Sequence, residues 1–175
     1  MIFILTGPVH SGKTTLLERV VHEFRKNKVM VDGFLSKALR EGQEVTGYDL
    51  FDLREGSSIP LLRTTGEKEW QRVGSFFFHP PGLDKAKRII LRSKDADFSV
   101  VDEVGPLELS GKGYWPALKQ VLFPPQAAYL IVVREKILEE FLGILERGQT
   151  VVFDIRDEGT LSLLTGEIRA AIQRK

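Results

Sequence analysis

The chain has 175 residues, 42% hydrophobic and 28% charged, which is the composition and length of one soluble globular domain and lies outside disordered, fibrous and membrane ranges. Lys plus Arg number 25 against 24 Asp plus Glu, so the net charge of +1 is too weak a field to argue for nucleic acid or an anionic membrane as a partner, leaving only a local basic patch open. Cysteine is absent, which excludes disulfides, thiolate metal sites and cysteine nucleophiles and fits a reducing cytoplasm.

Ile2 to Thr6 is a short apolar, β-branched run closed by Gly7, the pattern of a buried parallel strand. It lacks the charged n-region and small-residue cleavage site of a signal peptide, and no run approaches the ~18 apolar residues of a membrane span. From Lys13 the period changes: Leu16, Leu17, Val20, Val21 and Phe24 recur at helical spacing until Asn27 and Lys28. Val29 to Phe34 reads as a second strand. Val45 to Leu53 and Ile59 to Arg63 read as an antiparallel hairpin appended to the sheet, turning over Arg54 to Ser58. Thr64 to Gly82 reads as a loop, because Pro80 and Pro81 keep Phe76, Phe77 and Phe78 out of a central ladder.

Helical spacing resumes over Leu83 to Ser93, and Phe98 to Val101 is a buried strand ending at Asp102 and Glu103. Tyr114 to Leu122, Glu135 to Arg147 and Leu161 to Gln173 read as helices; Tyr129 to Val133 and Val151 to Ile155 read as strands. The alternation predicts an α/β fold of three layers (α/β/α), with a mostly parallel central sheet whose ligands sit beyond the carboxyl ends of its strands.

Two motifs fall at that edge. Gly7 to Thr14 reads GPVHSGKT and satisfies G-x-x-x-x-G-K-[ST] between a strand and a helix, the phosphate-binding P-loop. Gly7, Pro8, Val9, His10, Ser11, Gly12, Lys13, Thr14 and Thr15 are therefore candidates for nucleotide binding. Lys13 is expected to reach the β- and γ-phosphates, Thr14 to offer its hydroxyl to Mg²⁺, and Thr15 to contact the α-phosphate. His10 is expected to shape or cap the loop.

Asp102, after an apolar strand, is placed to hold Mg²⁺ through water. Glu103 beside it is placed to orient and deprotonate an attacking water, the feature that separates a hydrolase from a kinase. Glu108, in Gly105 to Leu109, reads equally well as a capping or solvated glutamate.

Together GPVHSGKTT (Gly7 to Thr15) and DEVGPLEL (Asp102 to Leu109) resemble the THEP-type nucleoside triphosphatases, and the resemblance spans nearly the whole chain, including Gly33-Phe34, Thr46-Gly47-Tyr48 and Val73-Gly74-Ser75. It implies a RecA-like sheet with another strand between those bearing the two motifs. It also implies Mg²⁺-dependent hydrolysis of ATP, GTP and other nucleoside triphosphates to diphosphate and phosphate, with Lys13, Thr14, Asp102 and Glu103 carried over and a site role for Glu108. The family places Asn-Arg after the last strand, near the base, where this chain has Arg156-Asp157-Glu158-Gly159-Thr160. Arg134 and Arg147 are candidates for a transition-state charge stabiliser and, equally, for surface residues.

Two other readings stand beside hydrolysis. A small-molecule or nucleotide kinase shares the size and phosphate loop but needs an acceptor pocket and an arginine-bearing lid, for which the Arg63 to Arg72 stretch is the candidate. A slow nucleotide switch would depend on a protein partner for turnover.

Overall fold

The computed structural model describes residues 1–145 and 148–174. In chain order the elements are β1 (Ile2–Thr6), α1 (Lys13–Lys26), β2 (Val31–Glu41), β3 (Glu44–Asp52), β4 (Ser58–Arg63), β5 (Arg72–Val73), β6 (Phe76–Phe78) and α2 (Pro80–Arg92). They continue as β7 (Phe98–Val104), α3 (Pro106–Leu109), α4 (Trp115–Leu122), β8 (Ala128–Val133), α5 (Leu138–Ile144), β9 (Thr150–Asp154) and α6 (Thr160–Gln173). The strands form one sheet in the order β5-β6-β4-β3-β2-β7-β8-β1-β9. From β2 to β9 all neighbours are parallel; from β2 outward to β5 all are antiparallel. The α/β three-layer architecture expected from the alternation is the one observed, and β8 is the intervening strand that the family resemblance implies.

β1 shows why the sheet needs a helical layer on each side. Successive side chains of a strand point to opposite faces. Ile2 and Ile4 join a core under α2, α4 and α5, with Ala86, Ile90, Leu118 and Phe141, whereas Phe3 and Leu5 join a second core under α1 and α6, with Leu17, Phe24, Leu164 and Ile168. A strand that is apolar on both faces can only be buried on both.

The antiparallel part is larger than a hairpin. β3 and β4 pair as expected, but β2 runs past Phe34 to Glu41, and its outer half pairs with β3, so the hairpin continues the main sheet. The stretch 64–82, read as a loop, contains two short strands, β6 beside β4 and β5 at the sheet's edge, and α2 begins at Pro80 rather than Leu83. Pro80 and Pro81 do end the ladder at Phe78, yet they also start the helix, because proline in the first turn has no backbone donor to lose. The helix expected over 135–147 opens as a tight 3₁₀ turn, Glu135–Ile137, before α5; its last two residues, Glu146 and Arg147, lie outside the described residues. Among the described residues no helix is long and apolar enough to cross a membrane.

Candidate functional site

Strand register brings the two motifs to one edge. Leu5 of β1 and Asp102 of β7 both pair with Val132 of β8, one from each side. They stand level across a single strand, roughly 10 Å apart at two strand spacings. The loop from Gly7 to Gly12 and the carboxylates of β7 therefore leave the sheet together.

The loop is shaped by residues in the left-handed region: Gly7 (φ 133°), His10 (φ 62°) and Gly12 (φ 89°). Such a run turns backbone N–H groups toward one concave side, the geometry that receives anions. Gly7 is also fixed by contact, since a Cβ there would come within 2.6 Å of Ile155 Cγ2. Gly12 then caps α1, whose first residue is Lys13, adding the positive end of that helix. The imidazole of His10 is exposed, so it is the His10 backbone that shapes the loop.

Lys13 is buried and folded over the loop, its Nζ donating to Gly7 O at 3.0 Å and to Pro8 O at 2.5 Å. Thr14 Oγ1 donates to Asp102 Oδ2 at 2.9 Å, closing the gap between the motifs. The same carboxylate oxygen accepts from the backbone N–H of Ser36 at 3.2 Å, and Ser36 Oγ donates to Asp102 O. Asp102 is 2% exposed, and burial pushes its carboxyl up to about 7 even though Thr14 and Ser36 hydrogen bonds favour the charged form. An added positive charge would bring it back down.

A cleft of ≈ 270 Å³ runs over this floor. Its lining includes Val9 to Thr15, Asp102 and Glu103. Gly7 and Pro8 lie beneath it as carbonyl partners of Lys13. The opposite wall, which sequence reasoning missed, comes from the outer half of β2 and from β3: Ser36, Ala38, Arg40 and Tyr48. No sequence signal marks this wall, because Leu35-Ser36-Lys37-Ala38-Leu39-Arg40 does not alternate apolar and polar residues as a half-buried strand would.

Glu103 is partly exposed and ion-paired with Arg134 Nε. Arg134 follows β8 immediately, its backbone N–H bonded to Val104 O at 3.2 Å. Arg134 lines a second pocket adjoining the cleft and meets the cleft through Glu103; the other candidate arginine, Arg147, lies outside the described residues. Arg156 is committed elsewhere, bonded to Asp154 Oδ1 at 2.9 Å through Nε and to Glu135 Oε1 at 2.7 Å.

Glu108 is a capping residue and more. It accepts the Gly105 N–H at 3.0 Å, reaching back over the first turn of α3. Yet it is only 3% exposed, and burial pushes its carboxyl up to about 7. It lines a second pocket adjoining the cleft, not the cleft itself.

Residues 2–166 match a family model described as NTPase. The chain is 33% identical over 159 residues to the nucleoside-triphosphatase THEP1 of Ignicoccus hospitalis, covering 88% of this chain and 89% of that one. It is 29% identical to the cancer-related nucleoside-triphosphatase of Homo sapiens, covering 91% and 90%. Among solved structures, that of a human cancer-related nucleoside triphosphatase superposes with a TM-score of 0.73 at 26% identity, over 99% of this chain and 97% of that one. THEP1 from Aquifex aeolicus shares the fold with a TM-score of 0.69 at 20% identity, over 99% of each chain.

Proposed function

The chain belongs to this NTPase family, and from that membership we infer that it is a hydrolase releasing phosphate from nucleoside triphosphates, ATP and GTP among them. The observation that carries the reading is the pairing of Thr14 with Asp102 in the cleft that also holds Lys13 and Glu103. The triphosphate lies along Gly7 to Thr15, with backbone N–H groups and the start of α1 receiving its oxygens. Lys13 exchanges the carbonyls of Gly7 and Pro8 for phosphate oxygens. Because a lysine ammonium on a flexible stem serves either partner, the apo contact keeps the cation in place until the anion arrives.

Mg²⁺ fits the donor set. Thr14 Oγ1 and Asp102 offer hard oxygen donors at one point, and few protein ligands suit an ion that keeps water and phosphate oxygens around it. When bound, the ion offsets charge on the phosphate oxygens. Thr14 would hold it directly and Asp102 through water. Ser36 fixes the Asp102 carboxylate by its N–H, which keeps that oxygen aimed at Thr14.

Glu103 takes the proton of the attacking water, and Arg134 beside it stabilises charge as the bond to the leaving diphosphate breaks. Apart from Arg40 and Tyr48, the cleft is lined by the phosphate loop, the two carboxylates and the short side chains of Ser36 and Ala38, which supports recognition mainly through the phosphates. The test is phosphate release from ATP, GTP, CTP and UTP with Mg²⁺, run beside Glu103→Gln. The variant should bind nucleotide and lose ~10² to 10⁴ of the rate. Wild-type turnover by Glu103→Gln would reject the assignment of the base.

A further inference from the structure

We propose that Arg40 binds the terminal phosphate of the nucleotide, so that this residue sets the preference of the cleft for a triphosphate over a diphosphate. The inference deepens the hydrolysis reading of the cleft and rests on it. Lys13 and Arg40 are the lysine and the arginine of the cleft lining, and they come from opposite walls, Lys13 from the start of α1 and Arg40 from the outer half of β2. Asp102 and Glu103 lie in the same lining, so a triphosphate brings its charge to a place that is already acidic. Lys13 meets that charge from the loop side, and a cation on the far wall offsets it from the other.

The strand pattern aims Arg40 at the cleft. Alternate residues of a strand share a face, and Ser36, Ala38 and Arg40 all line the cleft. Ser36 marks the near end of that row, with its N–H on Asp102 Oδ2 at 3.2 Å. Arg40 lies four residues on, roughly 13 Å along the strand. Between them Ala38 presents only a methyl group, so no long side chain of β2 separates the guanidinium from the floor of the cleft. The ladder with β3 also changes register between Leu39 and Arg40, leaving Thr46 as an extra residue on β3. Such a bulge raises the local twist and re-aims the side chain beside it.

Arg40 is uncommitted as well. Arg63 is paired with Asp49, Arg134 with Glu103 and Arg156 with Asp154, whereas among the described residues no carboxylate pairs with Arg40. Its Nη1 donates to Gln43 O at 3.4 Å, an exposed contact at the long limit for a hydrogen bond. Exchanging that neutral carbonyl for a phosphate gains a charge-assisted contact that suits the planar fork of a guanidinium. The terminal phosphate is the one on this side. β2 pairs directly with β7, the strand of Glu103, so the wall that carries Arg40 stands at the carboxylate side of the cleft, where water attacks the terminal phosphorus. The other phosphates lie along the loop.

The experiment is isothermal titration calorimetry of the full chain in Mg²⁺ with ADP and with the β,γ-imido analogue of ATP, for wild type and Arg40→Ala. The Arg40 side chain is exposed, and ADP binding serves as the internal control for an intact cleft. In Arg40→Ala the affinity for the analogue is expected to fall by about tenfold or more while that for ADP stays within about twofold, since a charged hydrogen bond is lost from the third phosphate alone. An unchanged ratio of the two affinities, whether both are kept or both fall together, overturns Arg40 as the terminal-phosphate contact and leaves the hydrolysis reading standing. A wild type that binds neither nucleotide overturns the reading of the cleft itself, and the role of Arg40 with it.

Discussion

Asp102→Asn should make the nucleotide-free protein more stable at alkaline pH while abolishing its response to MgATP. The wild-type carboxyl is held at about 7 by burial, against an ordinary value of 3.8. Its folded form therefore binds the proton more tightly than the unfolded chain does, so this group favours folding fully below pH 3.8, and that advantage is lost as pH rises through 7. Between pH 5 and pH 8 the loss covers about two pH units at 1.36 kcal/mol each, or roughly 2.7 kcal/mol. Asparagine keeps an oxygen for Thr14 and Ser36 and has no proton to lose, so the gap between variant and wild type should widen by that amount. For a chain of this length the difference corresponds to about 5–11 °C in Tm. Glu108, which titrates in the same range, is common to both proteins and cancels. Thermal melts in EDTA at pH 5 and pH 8 make the measurement. A gap that does not change with pH, or a variant less stable at pH 8 than at pH 5 relative to wild type, would refute the burial argument.

Lys13→Ala removes the cation held by Gly7 and Pro8 and should weaken nucleotide binding in a fluorescence titration; wild-type affinity would count against the phosphate cradle. Arg134→Ala should depress phosphate release, and a double-mutant cycle with Glu103→Gln should be far from additive, because the two side chains are one ion pair; additive losses would mean that they act separately. Arg92→Ala should cost about 3 kcal/mol in urea unfolding without touching nucleotide affinity. Arg92 donates to Asp32 and Asp52, both fully buried, and its loss leaves Arg54 and Lys85 as their cations among the described residues. An unchanged unfolding midpoint would show that those two suffice.

What was legible from the chain alone follows the range over which each feature is determined. The proposed phosphate loop is local: strand, glycines, Lys13 and helix are contiguous, and the motif is read from that contiguous pattern. Asp102 and Glu103 were legible because a buried strand cannot end in two carboxylates without a reason, and the register across β8 supplies it by setting Asp102 level with the loop. Ser36 had no such signal. Its contact with Asp102 depends on β2 pairing with β7 through Val31 to Phe34, a long-range pairing that leaves no mark on the sequence around Ser36. The two short strands were lost for the opposite reason, since Pro80 and Pro81 were read only as strand breakers although they also begin α2, and one residue type served two elements.

Glu108 shows how a local rule can be right and incomplete. The capping geometry was predictable from its spacing after Gly105, and the structure has it. Burial is what changes the meaning: a capping glutamate at the surface would shed its second oxygen into water, but here that oxygen is buried against Gly113, and the residue lines a pocket under β4 and β6. The antiparallel strands that roof the pocket were underestimated in extent, so nothing in the linear pattern showed that Glu108 had been covered. A site built where a mixed sheet folds its antiparallel half over the carboxyl ends of its parallel half becomes visible only when the roof is in place.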